Sequence, residues 1–181
     1  ETKIACGNGG ADLLYRLAFG LQPRKVLLPA PAFVEYEEAL SAAGAQIEYY
    51  RMTEDFIIKE DILEQITEDT DFVVICNPNN PTGYLYSQDE MNILKDLCLK
   101  HDLFLFSDEA YREFCYDGHV HISAMNLKGL EQNVILLDTI SKRYSACGGR
   151  IGAFITKNKT VYDAAMKFAQ ARLSPPSFAQ I

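Results

Sequence analysis

The sequence predicts an α/β domain, a three-layer α/β/α arrangement around a mostly parallel sheet. Short apolar runs alternate with amphipathic stretches along the chain, and several runs are apolar at successive rather than alternate positions. Successive apolar residues suit strands covered by helices on both faces, and strand–helix alternation joins such strands by right-handed crossovers. Composition agrees: 181 residues, 48% apolar and 23% charged, are ordinary globular material. At roughly 150 residues per domain that is about one domain.

The runs read as strands are Thr2 to Cys6, Val26 to Leu28, Ile47 to Tyr50, Phe72 to Cys76, Leu103 to Phe106, Val134 to Leu137 and Ile151 to Thr156. Helices are predicted over 10–20, 33–43, 59–68, 88–100 and 159–172. The fourth has the clearest start, because Ser87 and Glu90 stand three apart as a capping box does. After it Met91, Leu94, Leu97 and Cys98 recur at helical spacing and form one apolar face. The acidic run Glu64 to Asp71 is expected as a solvated helix end and loop. Only Ser174-Pro175-Pro176-Ser177 reads as a break, so residues 1–181 are taken as one domain.

A net charge of −8 without a basic block argues against nucleic acid or an anionic membrane surface as main partner. No apolar run approaches the roughly 18 residues of a membrane span. Five cysteines without CxxC spacing suit free thiols in a reducing compartment, and a cytoplasmic location is expected. Cys76, inside an apolar run, reads as a small buried hydrophobe. His119-Val120-His121 offers two imidazoles but no third ligand beside them, so no metal is expected. The chain opens on Glu1-Thr2-Lys3 with neither Met nor a signal segment, and it reads as cut from something longer.

Ligands of open α/β sheets bind beyond the carboxyl ends of the strands, and the unusual residues fall there. Gly7-Asn8-Gly9-Gly10-Ala11 follows the first strand and opens the first helix. Its N–H groups suit an anion, although an ordinary strand–helix turn explains it equally well. It is neither G-x-G-x-x-G nor a Walker loop. Asn77-Pro78-Asn79-Asn80-Pro81-Thr82-Gly83 follows the strand 72–76. A tight turn accounts for its prolines and glycine but not for three asparagines. Asp108 ends the strand 103–106 and its carboxylate either faces the site or caps the next turn; Tyr111 lies three residues on. After the strand 134–137, Thr139-Ile140-Ser141-Lys142 sets hydroxyls at −3 and −1 from a lysine, with Arg150 eight residues later.

Together, NPNNPTG, SDEAY and the T-x-S-K run with its arginine resemble the large domain of fold-type I aminotransferases of class I/II, which use pyridoxal 5'-phosphate (PLP). The resemblance extends from about Gly7 to Pro176. It implies that Lys142 forms the Schiff base with PLP and then moves the α-proton as a base. Lys142 attacks only when uncharged, so the site must lower its pKa, a task that Arg150 and the cofactor share. Asp108 would pair with the pyridine nitrogen and sustain the ring as an electron sink. Tyr111 and Asn80 would hydrogen-bond the phenolic oxygen. Gly10 and Ala11 would bind the phosphate through backbone N–H groups, with Thr139, Ser141 and Arg150 completing the cup. Phe33 matches the aromatic that stacks on the ring, although a first core residue of a helix would look the same.

Two positions depart from the family pattern while keeping the role: Thr139 where Ser is common, and Phe33 where Tyr or Trp is common. The family's N-terminal arm and its small C-terminal domain, whose arginine grips the substrate carboxylate, are not in these residues, and Arg172 comes too early to replace that arginine. The resemblance thus implies transfer of an amino group between an amino acid and a 2-oxo acid, in a homodimer, by a longer protein. These residues alone are expected to fold but not to transaminate. Alternatives on the same scaffold are a PLP-dependent β-lyase or amino-acid-phosphate decarboxylase, or the effector-sensing domain of a transcription regulator.

Overall fold

The computed structural model describes residues 1–52, 57–58, 60–172 and 174–179. In chain order the elements are β1 (Lys3–Gly7), α1 (Gly9–Leu21), β2 (Lys25–Ala30), α2 (Glu35–Ala42), β3 (Gln46–Arg51), β4 (Thr70–Cys76), α3 (Gln88–His101), β5 (Phe104–Asp108), β6 (Val134–Thr139), α4 (Ile140–Arg143), β7 (Gly152–Thr156) and α5 (Lys159–Arg172). The strands form one sheet in the order β1-β7-β6-β5-β4-β2-β3. Strand β7 runs antiparallel to both its neighbours, and the other four pairings are parallel. Strand β1 therefore points the same way as β2, β4, β5 and β6.

The uninterrupted apolar runs have a simple cause. Side chains of a strand alternate between faces, so a strand covered on both sides needs apolar residues at every position. In β4, Phe72, Val74 and Cys76 enter one core while Val73 and Ile75 enter the other. In β6, Ile135 and Leu137 join the first core, and Val134 and Leu136 the second. The first core is closed by Leu13, Leu14 and Leu17 of α1, Tyr36 and Leu40 of α2, and Val161 and Ala165 of α5. The second is closed by Met91, Leu94, Leu97 and Cys98, the apolar face foreseen for α3. Three layers result.

The capping box of α3 is complete: Ser87 Oγ accepts from Glu90 N–H at 3.3 Å and Glu90 Oε2 accepts from Ser87 N–H at 2.8 Å. The helix expected over 59–68 is a short 3-10 turn, Glu60–Gln65; residue 59 lies outside the described residues. A turn closes it early, with Thr67 N–H donating to Thr70 Oγ1 and Thr70 N–H to the Thr67 carbonyl, each at 3.0 Å. Thr70 and Asp71 then enter β4, and Asp71 pairs with Arg24 at 2.7 Å, so the acidic run is not wholly loop. Strand β6 runs two residues further than predicted and leads directly into α4, which apolar periodicity cannot reveal in four residues.

Candidate active site

One cavity of about 200 Å³ lies at the carboxyl ends of the parallel strands. The ten residues that the resemblance assigns to the cofactor all line it. Gly10 and Ala11 come from the first turn of α1, and Phe33 follows β2. Asn80 follows β4, while Asp108 and Tyr111 stand at and just beyond the end of β5. Thr139, Ser141 and Lys142 come from the β6–α4 junction, and Arg150 precedes β7. The antiparallel direction of β7 brings its amino end, and so Arg150, to the same rim as the other strands' carboxyl ends.

Close backbone approach shapes one wall. A Cβ at Gly152 would lie 2.7 Å from the carbonyl carbon of Gly9 and 2.8 Å from the nitrogen of Gly10, so only glycine lets β7 touch the start of α1. Gly9 has φ +84°, and a Cβ there would meet Arg150 Nη2 at 2.3 Å. Arg150 lies across this turn, donating from Nη2 to the Asn8 carbonyl and from Nη1 to the Cys147 carbonyl, both at 3.2 Å. Asn8 makes no side-chain cap bond to α1. The first N–H groups of a helix have no acceptor inside the helix, and here they open beside a guanidinium at the cavity.

The opposite wall centres on Asp108. Its side chain is buried, Oδ2 accepts from Tyr36 Oη at 2.7 Å, and Oδ1 accepts from Ala110 N–H at 3.0 Å. The carboxylate therefore both faces the cavity and caps the following turn. Burial raises its pKa, and the Tyr36 hydrogen bond works against that rise. Tyr36 is itself held well above the ordinary phenol value by burial and by the adjacent carboxylate, so it remains a donor. Phe33 meets the Tyr36 ring edge-on, with centroids 5.6 Å apart. Lys142 Nζ stands 5.7 Å from the centre of the Tyr111 ring. Thr139 Oγ1 donates to the Ile151 carbonyl at 2.9 Å, lies 2.9 Å from the Ser141 hydroxyl, and accepts from Ser141 N–H, capping α4.

The family profile described as "Aminotransferase class I and II" matches residues 1–181. The chain belongs to that family. Aspartate aminotransferase of Bacillus subtilis is 34% identical over 97% of this chain and 46% of its own length. Threonine-phosphate decarboxylase of Salmonella typhimurium is 31% identical over 90% of this chain and 43% of its own. Among solved structures, an aromatic aminotransferase from Pyrococcus horikoshii superposes with a TM-score of 0.93 at 29% identity, covering 99% of this chain and 49% of that one. The chain thus spans less than half the length of each. Membership of the class I and II aminotransferases implies PLP as cofactor.

Two further polar residues at the cavity, Tyr36 and Asp138, were not singled out from the sequence. Tyr36 was hidden because its position in an amphipathic helix suits the core, where its ring indeed lies. Asp138 also lines the cavity and pairs with Arg143 at 2.8 Å. Cys76 is buried as expected and donates its thiol to the Pro78 carbonyl at 3.3 Å, while burial pushes its pKa up to about 12. His119 and His121 do not share a strand face: His119 is exposed, whereas His121 turns inward to Glu109. Among the described residues no helix is long and apolar enough to cross a membrane.

Proposed function

We propose that residues 1–181 are the cofactor-binding large domain of a longer PLP-dependent aminotransferase, which moves an amino group between an amino acid and a 2-oxo acid. The observation that supports this best is the convergence of an amine, a buried carboxylate and an uncapped helix start with its guanidinium on one cavity. Those residues fit the cofactor. A buried carboxylate is costly without a cationic partner, and a protonated pyridine nitrogen is such a partner. A phosphate suits the α1 N-terminus beside Arg150.

In this reading Gly10 and Ala11 donate N–H bonds to the phosphate, and Thr139, Ser141 and Arg150 close around it. Phe33 covers the ring, with Tyr111 and Asn80 at its phenolic oxygen. Asp108, held in place by Tyr36, keeps the ring nitrogen protonated. When bound, PLP withdraws electrons from the substrate's Cα. Lys142 would attach the cofactor and, once substrate has displaced it, would take the α-proton from Cα as a base, with PLP supplying both the electron withdrawal and the carbon that accepts the proton in exchange for the amino group. A homodimer in the cytoplasm belongs to the same proposal.

The test is to supply the full-length protein with PLP, a panel of amino acids and 2-oxoglutarate, and to follow the new amino acid. Release of carbon dioxide from an amino-acid phosphate without amino transfer would favour a second reading. That reading rests on the likeness to threonine-phosphate decarboxylase. Neither product would overturn both.

A further inference from the structure

Glu109 immediately follows Asp108, yet it points away from the cavity and is fully enclosed. Its Oε1 accepts three bonds: from Ala124 N–H at 2.9 Å, Ser123 Oγ at 3.0 Å and Ser107 Oγ at 3.2 Å. Its Oε2 stands 3.5 Å from His121 Nε2, and neither atom has another hydrogen-bond partner among the described residues. The segment around residues 121–124 is gripped a second time by Asn77. The Asn77 side chain donates to the Ile122 carbonyl at 3.2 Å, and the Asn77 main chain hydrogen-bonds the His121 imidazole. Asn77 N–H in turn donates to the Asp108 carbonyl at 2.9 Å. One buried network therefore ties the ends of β4 and β5 to a loop behind them, and those ends carry Asn80 and Asp108.

We propose that Glu109 and His121 are a positioning pair that shares one proton and, by clamping residues 121–124 across the ends of β4 and β5, sets where Asp108 and Asn80 stand in the cavity. The inference rests on the cofactor reading above only for its effect on PLP. Two buried polar atoms 3.5 Å apart with no other partner need a proton between them, because an acceptor facing an acceptor leaves both unsatisfied. Burial moves both groups toward their neutral forms, raising the Glu109 pKa to about 7 and lowering that of His121. Arg112 opposes protonation of either group, while Glu113 and Asp138 face the imidazole and favour its charge.

Below about pH 7 the Glu109 carboxyl donates its proton to Nε2, and the imidazole carries its own on Nδ1. Above that, the carboxyl proton goes to solvent, and the imidazole proton leaves Nδ1, giving up its contact with the Asn77 main chain, for Nε2, where it donates to Oε2. The ionised carboxylate is the better acceptor for Ser107, Ser123 and Ala124, so these three bonds strengthen as pH rises even though burying the charge costs the fold stability.

The experiment has two arms on the full-length protein. In the first, ¹⁵N NMR of the histidine rings follows the His121 tautomer from pH 5 to 9. A switch from Nδ1–H to Nε2–H near pH 7, lost in Glu109→Gln, is expected; an unchanging tautomer overturns the pairing. In the second, PLP affinity is measured by equilibrium dialysis between pH 6 and 8. It should rise severalfold across that range in the wild type, and both Glu109→Gln and His121→Asn should flatten the rise. A wild-type rise retained in Glu109→Gln overturns the positioning role. If the wild type binds no PLP at any pH, the cofactor reading falls with the positioning half, and the NMR arm still decides the pairing.

Discussion

Tyr36, from the first turn of α2, donates a 2.7 Å hydrogen bond to Oδ2 of Asp108 at the end of β5, inside a site built from strand ends, the loops after them and the starts of α1 and α4. The two are far apart in sequence, and burial keeps the phenol protonated and therefore a donor. This contact holds the carboxylate toward the cavity. It also favours the ionised form that a pyridinium partner requires.

Tyr36→Phe keeps the ring and its edge-on contact with Phe33 but removes that donor. The Asp108 pKa should then climb further above its already raised value. A hydrogen bond to a charged group contributes about 1.5–3 kcal/mol, so PLP affinity at pH 7 should fall roughly ten- to a hundredfold. Dialysis against PLP would measure it, and unchanged affinity would contradict the role given to Tyr36.

Borohydride reduction of the PLP-loaded full-length protein should leave a stable adduct on Lys142, located by peptide mapping. Lys157 and Lys159, the next two lysines along the chain, are the controls. Modification at either in place of Lys142 would remove the proposed amine.

Asp108→Ala should lose turnover even when it is saturated with PLP. Its task is to stabilise charge that develops during reaction, an effect of about 3 kcal/mol or roughly a hundredfold in kcat. Nearly normal kcat alongside weak PLP binding would reassign Asp108 to binding alone.

Gly152→Ala places a Cβ 2.7 Å from the Gly9 backbone and must push the Gly9–Gly10 turn away from β7. Overpacking of this kind costs about 1–3 kcal/mol. Both the thermal midpoint and the affinity for inorganic phosphate, a competitor of PLP, should fall. Gly83→Ala, where the Cβ meets open space but φ is +75°, should lower the midpoint without touching phosphate affinity.

Glu109 makes stability depend on pH in a definite direction. Its folded pKa, about 7, lies above its ordinary value of 4.5, so the folded state keeps a proton that the unfolded chain has lost. The stabilisation is complete below the unfolded value and is lost as pH rises through about 7; from the size of the shift it amounts to about 3 kcal/mol. His121, with a lowered pKa, acts in the opposite sense as pH falls below 6.5. Urea unfolding at pH 5 and pH 8 should show the wild type losing stability relative to Glu109→Gln across that interval. A constant difference would refute the assignment.

The sequence alone determined the α/β layering, because a strand buried on both faces can only be written as successive apolar residues, as Phe72 to Cys76 is. It also marked the strand ends that meet at the cavity, since NPNNPTG, SDEAY and TISK concentrate polar groups where a plain turn needs none. Tertiary structure decided what periodicity does not encode. The antiparallel placement of β7 brings Arg150 against the Gly9 turn, and that depends on sheet pairing across the whole chain. Local pattern did not single out Tyr36 and offered His121 only as half of an imidazole pair, and folding set them against Asp108 and Glu109. Where a helix was foreseen over 59–68 the chain forms the short 3-10 turn Glu60–Gln65, and the hydrogen-bonded turn between Thr67 and Thr70 then leads straight into β4. Local pattern specifies which face a residue presents, whereas its partner there is chosen by contacts distant in sequence.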